Sequence, residues 1–269
     1  MEKLKNPQLA IPVVLMAGIF WSFGPYVVRN IDEANTVPWQ YLFTRGLVIF
    51  ILLNLYLYME EGIDFISNYK KIGVSGIIGS CGLAAAMITF IWSITNTSAA
   101  ITLLCLAAMP FITALLGFLF LKETISINVW VAIGIATIGI IIMAIGNHEK
   151  NTFFGFILGI VSAVGFSVFS VSLRWRKETP KFTTVSLAGL ICFLVSLIVI
   201  INKDLSLFST GKNQALFAVH GTIVCLGMIL YAIASKSIPA AELTLLSLTE
   251  VIGGIFWVWL PLFGINEIP

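Results

Sequence analysis

The chain has 269 residues, of which 59% are hydrophobic and only 10% are charged, and its mean hydropathy is +1.02. Since a soluble domain carries roughly 25% charged residues, this composition excludes an ordinary soluble protein and predicts one embedded in a lipid bilayer. The net charge of +2 excludes the strongly basic surface of a nucleic-acid-binding protein.

Nine apolar segments of roughly 20 residues, the length that a helix needs to cross the hydrocarbon core, follow one another along the chain. They are residues 10–28, 38–59, 72–95, 98–121, 127–146, 153–173, 182–201, 214–235 and 240–262. The connections after the third and the eighth segments are short, which favours antiparallel neighbours. The sequence therefore predicts an all-α integral membrane protein.

The basic residues predict the orientation, because lysine and arginine are retained on the cytoplasmic side during insertion. With the N-terminus inside, four of the 15 basic residues lie in outer connections and Arg45 lies within a segment. The other ten lie in inner segments: Lys3, Lys5, Lys70, Lys71, Lys122, Arg174, Arg176, Lys177, Lys181 and Lys236. We therefore expect a multi-pass protein of the cell membrane with a cytoplasmic N-terminus.

A short phrase occurs twice in the chain, as TLLCL at residues 102–106 and as TLLSL at residues 244–248, an offset of 142. A period of this length in a membrane protein indicates two internal repeats rather than a solenoid. Residues 10–146 are predicted to form the first repeat, with five helices, and residues 153–269 the second. Because each repeat has an odd number of helices, the second enters the membrane from the opposite side, so the repeats are inverted.

The second repeat ends where its fifth helix is expected to begin. After TLLCL the first repeat continues through Lys122 and Glu123 into the segment 127–146, whereas the chain stops at Pro269. We expect a ten-helix fold of which this sequence lacks the tenth helix, with nine segments present, and we favour a truncated sequence over a natural nine-helix protein.

Several stretches carry a resemblance to a known family. They are Pro110 followed by FITALLGFLFLKETIS (111–126), TEVIGGIFWVWLPLFG (249–264), WSFG (21–24) followed by Arg29, and the arginine of FTRG (43–46). Together they resemble the EamA-type members of the drug/metabolite transporter superfamily. The resemblance implies two inverted five-helix repeats around a central cavity, alternating access, and commonly the export of amino acids or other small metabolites.

Three ionisable residues lie deep within the predicted segments, where a charge is costly and marks a candidate functional residue. By helical rise, Glu250 lies about 15 Å into the ninth segment, at the midplane. Arg45 lies about 10 Å below the outer edge in the second segment, and His220 about 9 Å in the eighth. All three are within reach of one cavity, and Glu250 is the candidate for proton coupling.

Each candidate also has a purely structural interpretation. Arg45 could extend its side chain to the outer interface, Glu250 could form a buried hydrogen bond between helices, and His220 could simply pack near the interface, which we favour for His220. In the repeat alignment, Glu250 falls on Ala108, and pairing Gly46 with Gly189 places Arg45 on Ala188. Because each charge occurs in one half only, ligand or ion binding is favoured for both Glu250 and Arg45, with the interfacial interpretation of Arg45 left open.

Aromatic residues complete the set of candidates. Trp21, Trp92 and Tyr231 lie within or near segments and are candidates to line a cavity for an apolar or aromatic metabolite, although packing is the more common role. Trp39 and other tryptophans at segment ends belong to the interfacial belts. The GxxxG at Gly155 and Gly159 indicates close helix packing within the bundle before it indicates a dimer.

The expected function is secondary transport of a small organic solute, with no cofactor. The four cysteines occur singly, without the spacing of a metal or redox site, so no metal is predicted. A passive channel or a non-transporting membrane subunit is the main alternative. An intramembrane enzyme is least favoured, because there is no HExxH motif and Glu250 has no acidic neighbour in its segment.

Overall fold

The computed structural model describes residues 7–122, 150–176 and 178–260, together with residues 127, 130, 131, 134, 135 and 138. Throughout these residues the regular structure is helical and no strand occurs. The predicted all-α class is therefore confirmed.

Among the stretches that the structure describes without gaps, the first half contains six helices and the second half contains five. The first six are α1 (Pro7–Arg29), α2 (Pro38–Glu61), α3 (Ile66–Lys70), α4 (Gly73–Asn96), α5 (Ala99–Leu106) and α6 (Met109–Leu116). The next five are α7 (Lys150–Trp175), α8 (Lys181–Asn202), α9 (Gly211–Ala234), α10 (Ala240–Leu246) and α11 (Thr249–Trp259). A 3₁₀ turn, Gly62–Phe65, joins α2 to α3, and a π-helical turn, Gly117–Leu121, follows α6.

Eight helical segments of the described chain are long and apolar enough to cross a membrane. They coincide with the predicted segments one to four and six to nine, so the chain is a multi-pass membrane protein. The predicted fifth segment, 127–146, lies mostly outside the described residues; the six of its residues that are described are helical. The count of nine segments therefore stays a prediction.

The fourth and ninth segments are not the continuous helices that the hydropathy pattern predicts. The fourth segment turns at residues 107–108, between α5 and α6, and the ninth turns at residues 247–248, between α10 and α11. Each break lies in the interior of its segment. Hydropathy reports only how apolar a segment is, so it does not reveal where the backbone of an apolar segment leaves the helical path.

Pro110 accounts for the break in the fourth segment. A proline has no N–H, so Pro110 cannot donate to the carbonyl of Leu106, four residues earlier. The chain tightens here into bonds between residues three apart, from the Ala108 N–H to the Cys105 carbonyl and from the Phe111 N–H to the Ala108 carbonyl, both at 3.1 Å. The helix then resumes as α6.

Hydroxyl side chains stabilise the break in the ninth segment, which has no proline at this place. The Ser247 hydroxyl donates to the Thr244 carbonyl at 2.8 Å, and the Thr249 hydroxyl donates to the Leu246 carbonyl at 3.3 Å. Such bonds compete with the regular helix and bend it. The Leu248 N–H then bonds the Leu245 carbonyl, as in the fourth segment.

The most extensive contacts between helices join one half of the chain to the other. The α4 helix packs on α7 and α9 packs on α1, while α2 packs on α8. The contact of α4 with α8 is matched by that of α9 with α2, and the contact of α6 with α7 by that of α11 with α1. Each contact therefore has a counterpart: replacing both of its helices by their equivalents in the other half gives another contact of the same molecule, and the α2–α8 contact is its own counterpart.

Glycine allows the two central helices α2 and α8 to approach closely. A Cβ atom on Gly46 would lie 2.8 Å from the carbonyl oxygen of Gly189 and 2.7 Å from the backbone nitrogen of Phe193. A Cβ atom on Gly189 would lie 3.0 Å from the carbonyl oxygen of Gly46. The two glycines that the repeat alignment pairs therefore contact each other where the halves meet.

Arg29 and Arg174, the last basic residues of α1 and α7, make equivalent bonds in the two halves. Arg29 donates to the carbonyls of Ile94 at 2.9 Å and Thr97 at 3.1 Å, just before the fourth segment. Arg174 donates to the carbonyl of Ile238 at 2.8 Å, just before the ninth segment. Each arginine thus fixes the entry of a broken segment.

The GxxxG of α7 packs inside the bundle. A Cβ atom on Gly155 would lie 2.9 Å from Thr97, and one on Gly159 would lie 2.9 Å from the Cβ of Cys105. These glycines let α7 lie close to α4 and α5, which is the intramolecular role that the sequence favours.

Candidate functional site

A cavity lies between the two halves, at the level of both helix breaks. Including its openings, it contains about 500 Å³ of space, and α1, α2, α4, α5, α6, α7, α9 and α11 contribute to its wall. We call it the central cavity and define it by Trp21, Arg45, Phe166, His220 and Glu250 together with the apolar residues between them.

Arg45 is the buried cation of the central cavity. It lies on α2, and its side chain is only 5% exposed. Its Nε and Nη1 atoms are both buried, and neither has a hydrogen-bond partner among the described residues. A buried guanidinium without a partner is unfavourable unless a ligand supplies one. The side chain does not extend to the outer interface, which was one of its two expected roles.

Glu250 is the acidic residue of the same cavity. It is the second residue of α11, directly after the break in the ninth segment, and it is half-buried. The cavity places Glu250 and Arg45 on a common wall, and the charge of Arg45 acts on the carboxylate. No described residue forms an ion pair with either side chain. The cavity therefore carries one group of each sign that a solute could contact.

The break also revises the alignment of the two halves around Glu250. The three-residue bonds at Ala108 and Phe111 recur at Leu248 and Val251, an offset of 140 rather than 142. In this register the counterpart of Glu250 is Pro110 instead of Ala108. The conclusion that the carboxylate has no acidic counterpart in the first half is unchanged.

His220 lines the cavity and is also engaged in packing. It lies on α9 with its side chain 2% exposed, and its Nδ1 atom pairs with the hydroxyl of Tyr41. A Cβ atom on Gly24 would lie 2.8 Å from its Nε2 atom. His220 is thus a fixed part of the wall, held by α2 on one side and by α1 on the other.

An aromatic cluster contributes to the wall of the central cavity. The rings of Trp21 and Phe166 are 5.6 Å apart and nearly perpendicular. Tyr231 lies 5.4 Å from Trp21 and 5.3 Å from Phe166. Trp21 and Phe166 line the cavity, whereas Tyr231 lies behind them with its hydroxyl 2.6 Å from that of Ser170.

Trp92 lies away from the central cavity. Its ring is 5.4 Å from that of Trp39, near the end of α4, and its Nε1 atom has no partner in the described part of the chain. Of the six candidate residues, the structure therefore brings four to the cavity wall, places Tyr231 behind that wall, and places Trp92 elsewhere.

Apolar residues of α4 and α9 form a part of the wall that the sequence did not identify. Met87, Phe90 and Met228 all line the cavity. A methionine or phenylalanine inside an apolar segment is no signal by itself, since lipid-facing residues have the same composition.

Comparison with known proteins identifies the family. The model of the EamA-like transporter family matches residues 8–145, which is just over half of the chain. The chain belongs to the EamA-like transporter family. It is therefore a membrane transporter, as the motif resemblance predicted.

Relatives of this EamA-like chain extend beyond the matched region. An uncharacterized transporter of Helicobacter pylori strain J99 is 25% identical over 263 residues, which cover 92% of this chain and 84% of the relative. Protein RarD of Streptomyces exfoliatus is 21% identical, covering 68% of this chain and 58% of its own length. A solved crystal structure of a protein has a TM-score of 0.71 at 16% identity, covering 98% and 91% of the two chains, which shows a shared fold.

Proposed function

We propose that this EamA-like transporter is a secondary carrier, and by preference an exporter, of a small zwitterionic metabolite such as an amino acid. The substrate is bound in the central cavity. Arg45 contacts its carboxylate, Glu250 contacts its ammonium group or exchanges a proton, and Trp21 and Phe166 contact its apolar part. The observation that carries this proposal is the buried guanidinium of Arg45, whose Nε and Nη1 atoms have no protein partner among the described residues.

The chemistry of the cavity wall favours a solute that is both charged and apolar. Arginine binds carboxylates through two parallel hydrogen bonds, and the free nitrogens of Arg45 are available for such a pair. Apolar side chains, aromatic and methionine residues among them, line most of the remaining wall. A solute with one carboxylate, one ammonium group and an apolar body would satisfy each of these groups.

We further propose that the two halves, 10–146 and 153–269, act as inverted repeats that rock against each other during alternating access. The paired contacts between halves support this proposal, because each contact has a counterpart when the halves are exchanged. The helix breaks support it as well. Discontinuous helices at the midplane commonly form the substrate sites of such carriers.

We place the protein in the cell membrane with its N-terminus in the cytoplasm, on the distribution of basic residues. The connection 176–180 should then be cytoplasmic and the connection 203–210 external. A reporter fused into the connection 176–180 tests this orientation. If the reporter is accessible from outside the cell, the orientation is wrong, and the inversion of the repeats is wrong with it.

The test of the carrier mechanism is counterflow. Proteoliposomes holding the purified chain are loaded with one unlabelled amino acid at high concentration, and uptake of the same labelled amino acid is followed at low external concentration. A carrier concentrates the label transiently and saturates, whereas a channel does neither. A panel of amino acids, amines and carboxylates then identifies the class of solute.

A matched variant separates the proposed substrate class from the carrier mechanism. Arg45→Gln removes the cation while preserving a polar side chain of moderate size. If the solute is zwitterionic, this variant loses transport of amino acids but retains whatever transport of simple amines the wild type has. Equal loss for amines and amino acids would contradict the assignment of Arg45 to the carboxylate.

A further inference from the structure

A second cavity lies where α2, α7 and α9 end and where α8 begins. Including the part that is open to solvent, its volume is about 1210 Å³. We call it the basic pocket and define it by Arg174, Lys181, Lys236, Thr183 and Ser235. It shares none of its lining residues with the central cavity.

Three cations face this pocket from three different elements. Arg174 lies at the end of α7, Lys181 begins α8, and Lys236 follows α9. Their charges act on one another, since both Arg174 and Lys236 repel Lys181. Glu61 is the one acidic residue among the described residues that line the pocket, and it accepts a hydrogen bond from Asn68 at 2.7 Å. The pocket therefore has an excess of positive charge.

The polar groups around these cations suit an anion with several acceptor oxygens. The hydroxyl of Thr183 is buried and has no partner in the described part of the chain. The Lys181 Nζ atom is held at 2.9 Å from the Ser235 hydroxyl, which fixes its position. Residues 181–183 belong to the first turn of the 22-residue α8, and the N–H groups of a first helical turn favour anions.

Membrane insertion alone does not explain this arrangement. The preference for cytoplasmic cations requires basic residues at this end of the bundle, but exposed lysines such as Lys70 and Lys71 already satisfy it. It does not require three cations to surround one pocket against mutual repulsion. A bound anion would remove that repulsion.

We propose that the basic pocket binds a phosphate-bearing anion, either the headgroup of an anionic membrane lipid or a soluble phosphate ester. Basic pockets between membrane helices on the cytoplasmic side bind anionic headgroups in this way. The pocket lies at the end of four helices from both halves of the chain, so occupancy would hold these helix ends together. The inference is independent of the substrate of the central cavity.

The experiment measures binding to the purified full chain in neutral detergent. Phosphatidylglycerol, phosphatidylcholine, glycerol 3-phosphate and inorganic phosphate are titrated separately, and the dissociation constant is taken from the shift in melting temperature. The test variant is the double substitution Lys181→Gln and Lys236→Gln. The control is Lys70→Gln with Lys71→Gln, which removes the same charge from the same end of the bundle but outside the pocket.

Wild type and the control should bind phosphatidylglycerol or glycerol 3-phosphate equally and phosphatidylcholine weakly. The test variant should bind the anion roughly thirty-fold more weakly, since each lysine near a headgroup contributes about a fivefold factor. Preference for phosphatidylglycerol identifies a lipid as the source, and preference for glycerol 3-phosphate or inorganic phosphate identifies a soluble ester.

The proposal is overturned if phosphatidylglycerol, glycerol 3-phosphate and inorganic phosphate all bind no more tightly than phosphatidylcholine, or if the control and the test variant weaken binding equally. Should the double variant fail to fold, the single substitution Lys236→Gln, at an exposed position, serves in its place. It should weaken binding about fivefold, and an unchanged dissociation constant would refute the proposal.

Discussion

The fourth and ninth segments share a break in the backbone but differ in the side chains that follow it. Each turns at two residues in its interior, and each resumes as a helix whose start lies at the central cavity. At the second position of the resumed helix, the fourth segment has Pro110 and the ninth has Glu250. The break is therefore a property of both halves, whereas the carboxylate belongs to one.

This difference separates residues that shape the fold from residues that serve the solute. A group needed to bend a segment is expected in both copies, in one chemical form or another. Proline fulfils this role in the fourth segment, and the hydroxyls of Ser247 and Thr249 fulfil it in the ninth. Within the described residues the Glu250 side chain forms no hydrogen bond at the bend, to which only its backbone N–H contributes, so its charge is free to act on the cavity.

The largest expected effect is therefore that of Glu250→Gln. The amide keeps the shape of the side chain but can neither carry a negative charge nor exchange a proton. We expect transport in proteoliposomes to fall to the level of empty liposomes, or, if the solute still moves, to lose its dependence on an imposed pH gradient. Membrane expression should match that of the wild type.

Glu242→Gln is the matched control for this prediction. Glu242 lies in the first turn of α10, in the same segment, and it is exposed. Its substitution should leave both flux and the pH response unchanged. If Glu250→Gln kept both the flux and the pH response of the wild type, the carboxylate would be only a structural hydrogen-bonding group. The difference between the two breaks would then have no consequence for transport.

Arg45→Lys should have the next largest effect. Lysine keeps the charge but lacks the planar fork that binds a carboxylate through two bonds. We expect the apparent KM for a carboxylate-bearing solute to rise roughly tenfold, with maximal flux less affected. Arg176→Lys, at an exposed arginine after α7, should leave KM unchanged. An unaltered KM in Arg45→Lys would indicate that Arg45 acts only through its charge.

The sequence predicted how deep along their helices the candidate residues lie better than it predicted which face of a helix each one occupies. The depth of Arg45, His220 and Glu250 follows from residue counts and helical rise, and all three line the central cavity. The face of a helix on which Tyr231 or Trp92 lies depends on packing with other helices. In a membrane protein nearly every face is apolar, so the pattern of apolar residues does not show which face points inward.

The helix breaks could not be predicted from the sequence for a related reason. Pro110 is a visible signal in the fourth segment, but proline is tolerated in membrane helices, so it did not by itself predict a break. In the ninth segment the signal was a group of hydroxyls, Ser247 and Thr249, that are common in membrane helices for other reasons. The repeated phrase located both breaks to within two residues without identifying them.

Gly46→Ala tests whether the halves share one packing surface at their centre. The new methyl group would lie 2.8 Å from a backbone oxygen and 2.7 Å from a backbone nitrogen of α8, so the two helices must separate. We expect the unfolding free energy to fall by about 1–3 kcal/mol, measured by thermal denaturation in detergent.

Two other glycines provide the scale for this effect. Gly189→Ala meets its nearest atom at 3.0 Å and should cost less, while Gly211→Ala, at the start of α9 with nothing within 4 Å, should be neutral. Equal losses for Gly46→Ala and Gly211→Ala would show that the close approach of α2 and α8 does not contribute to stability.

The smallest effects are expected where the two halves are most alike, at Arg29 and Arg174. Each donates to carbonyls just before a broken segment, Arg29 to Ile94 and Thr97 and Arg174 to Ile238. Replacing either by lysine keeps the charge but removes the fork that reaches these carbonyls, so each should lower the unfolding free energy by about 1 kcal/mol. Arg176→Lys should be neutral in the same thermal denaturation.

Because the bonds of Arg29 and Arg174 are equivalent, the two losses of unfolding free energy should agree within error. Neither substitution should change the KM for the solute. If Arg29→Lys destabilised the protein and Arg174→Lys did not, the equivalence of the two halves would fail at these two helix ends.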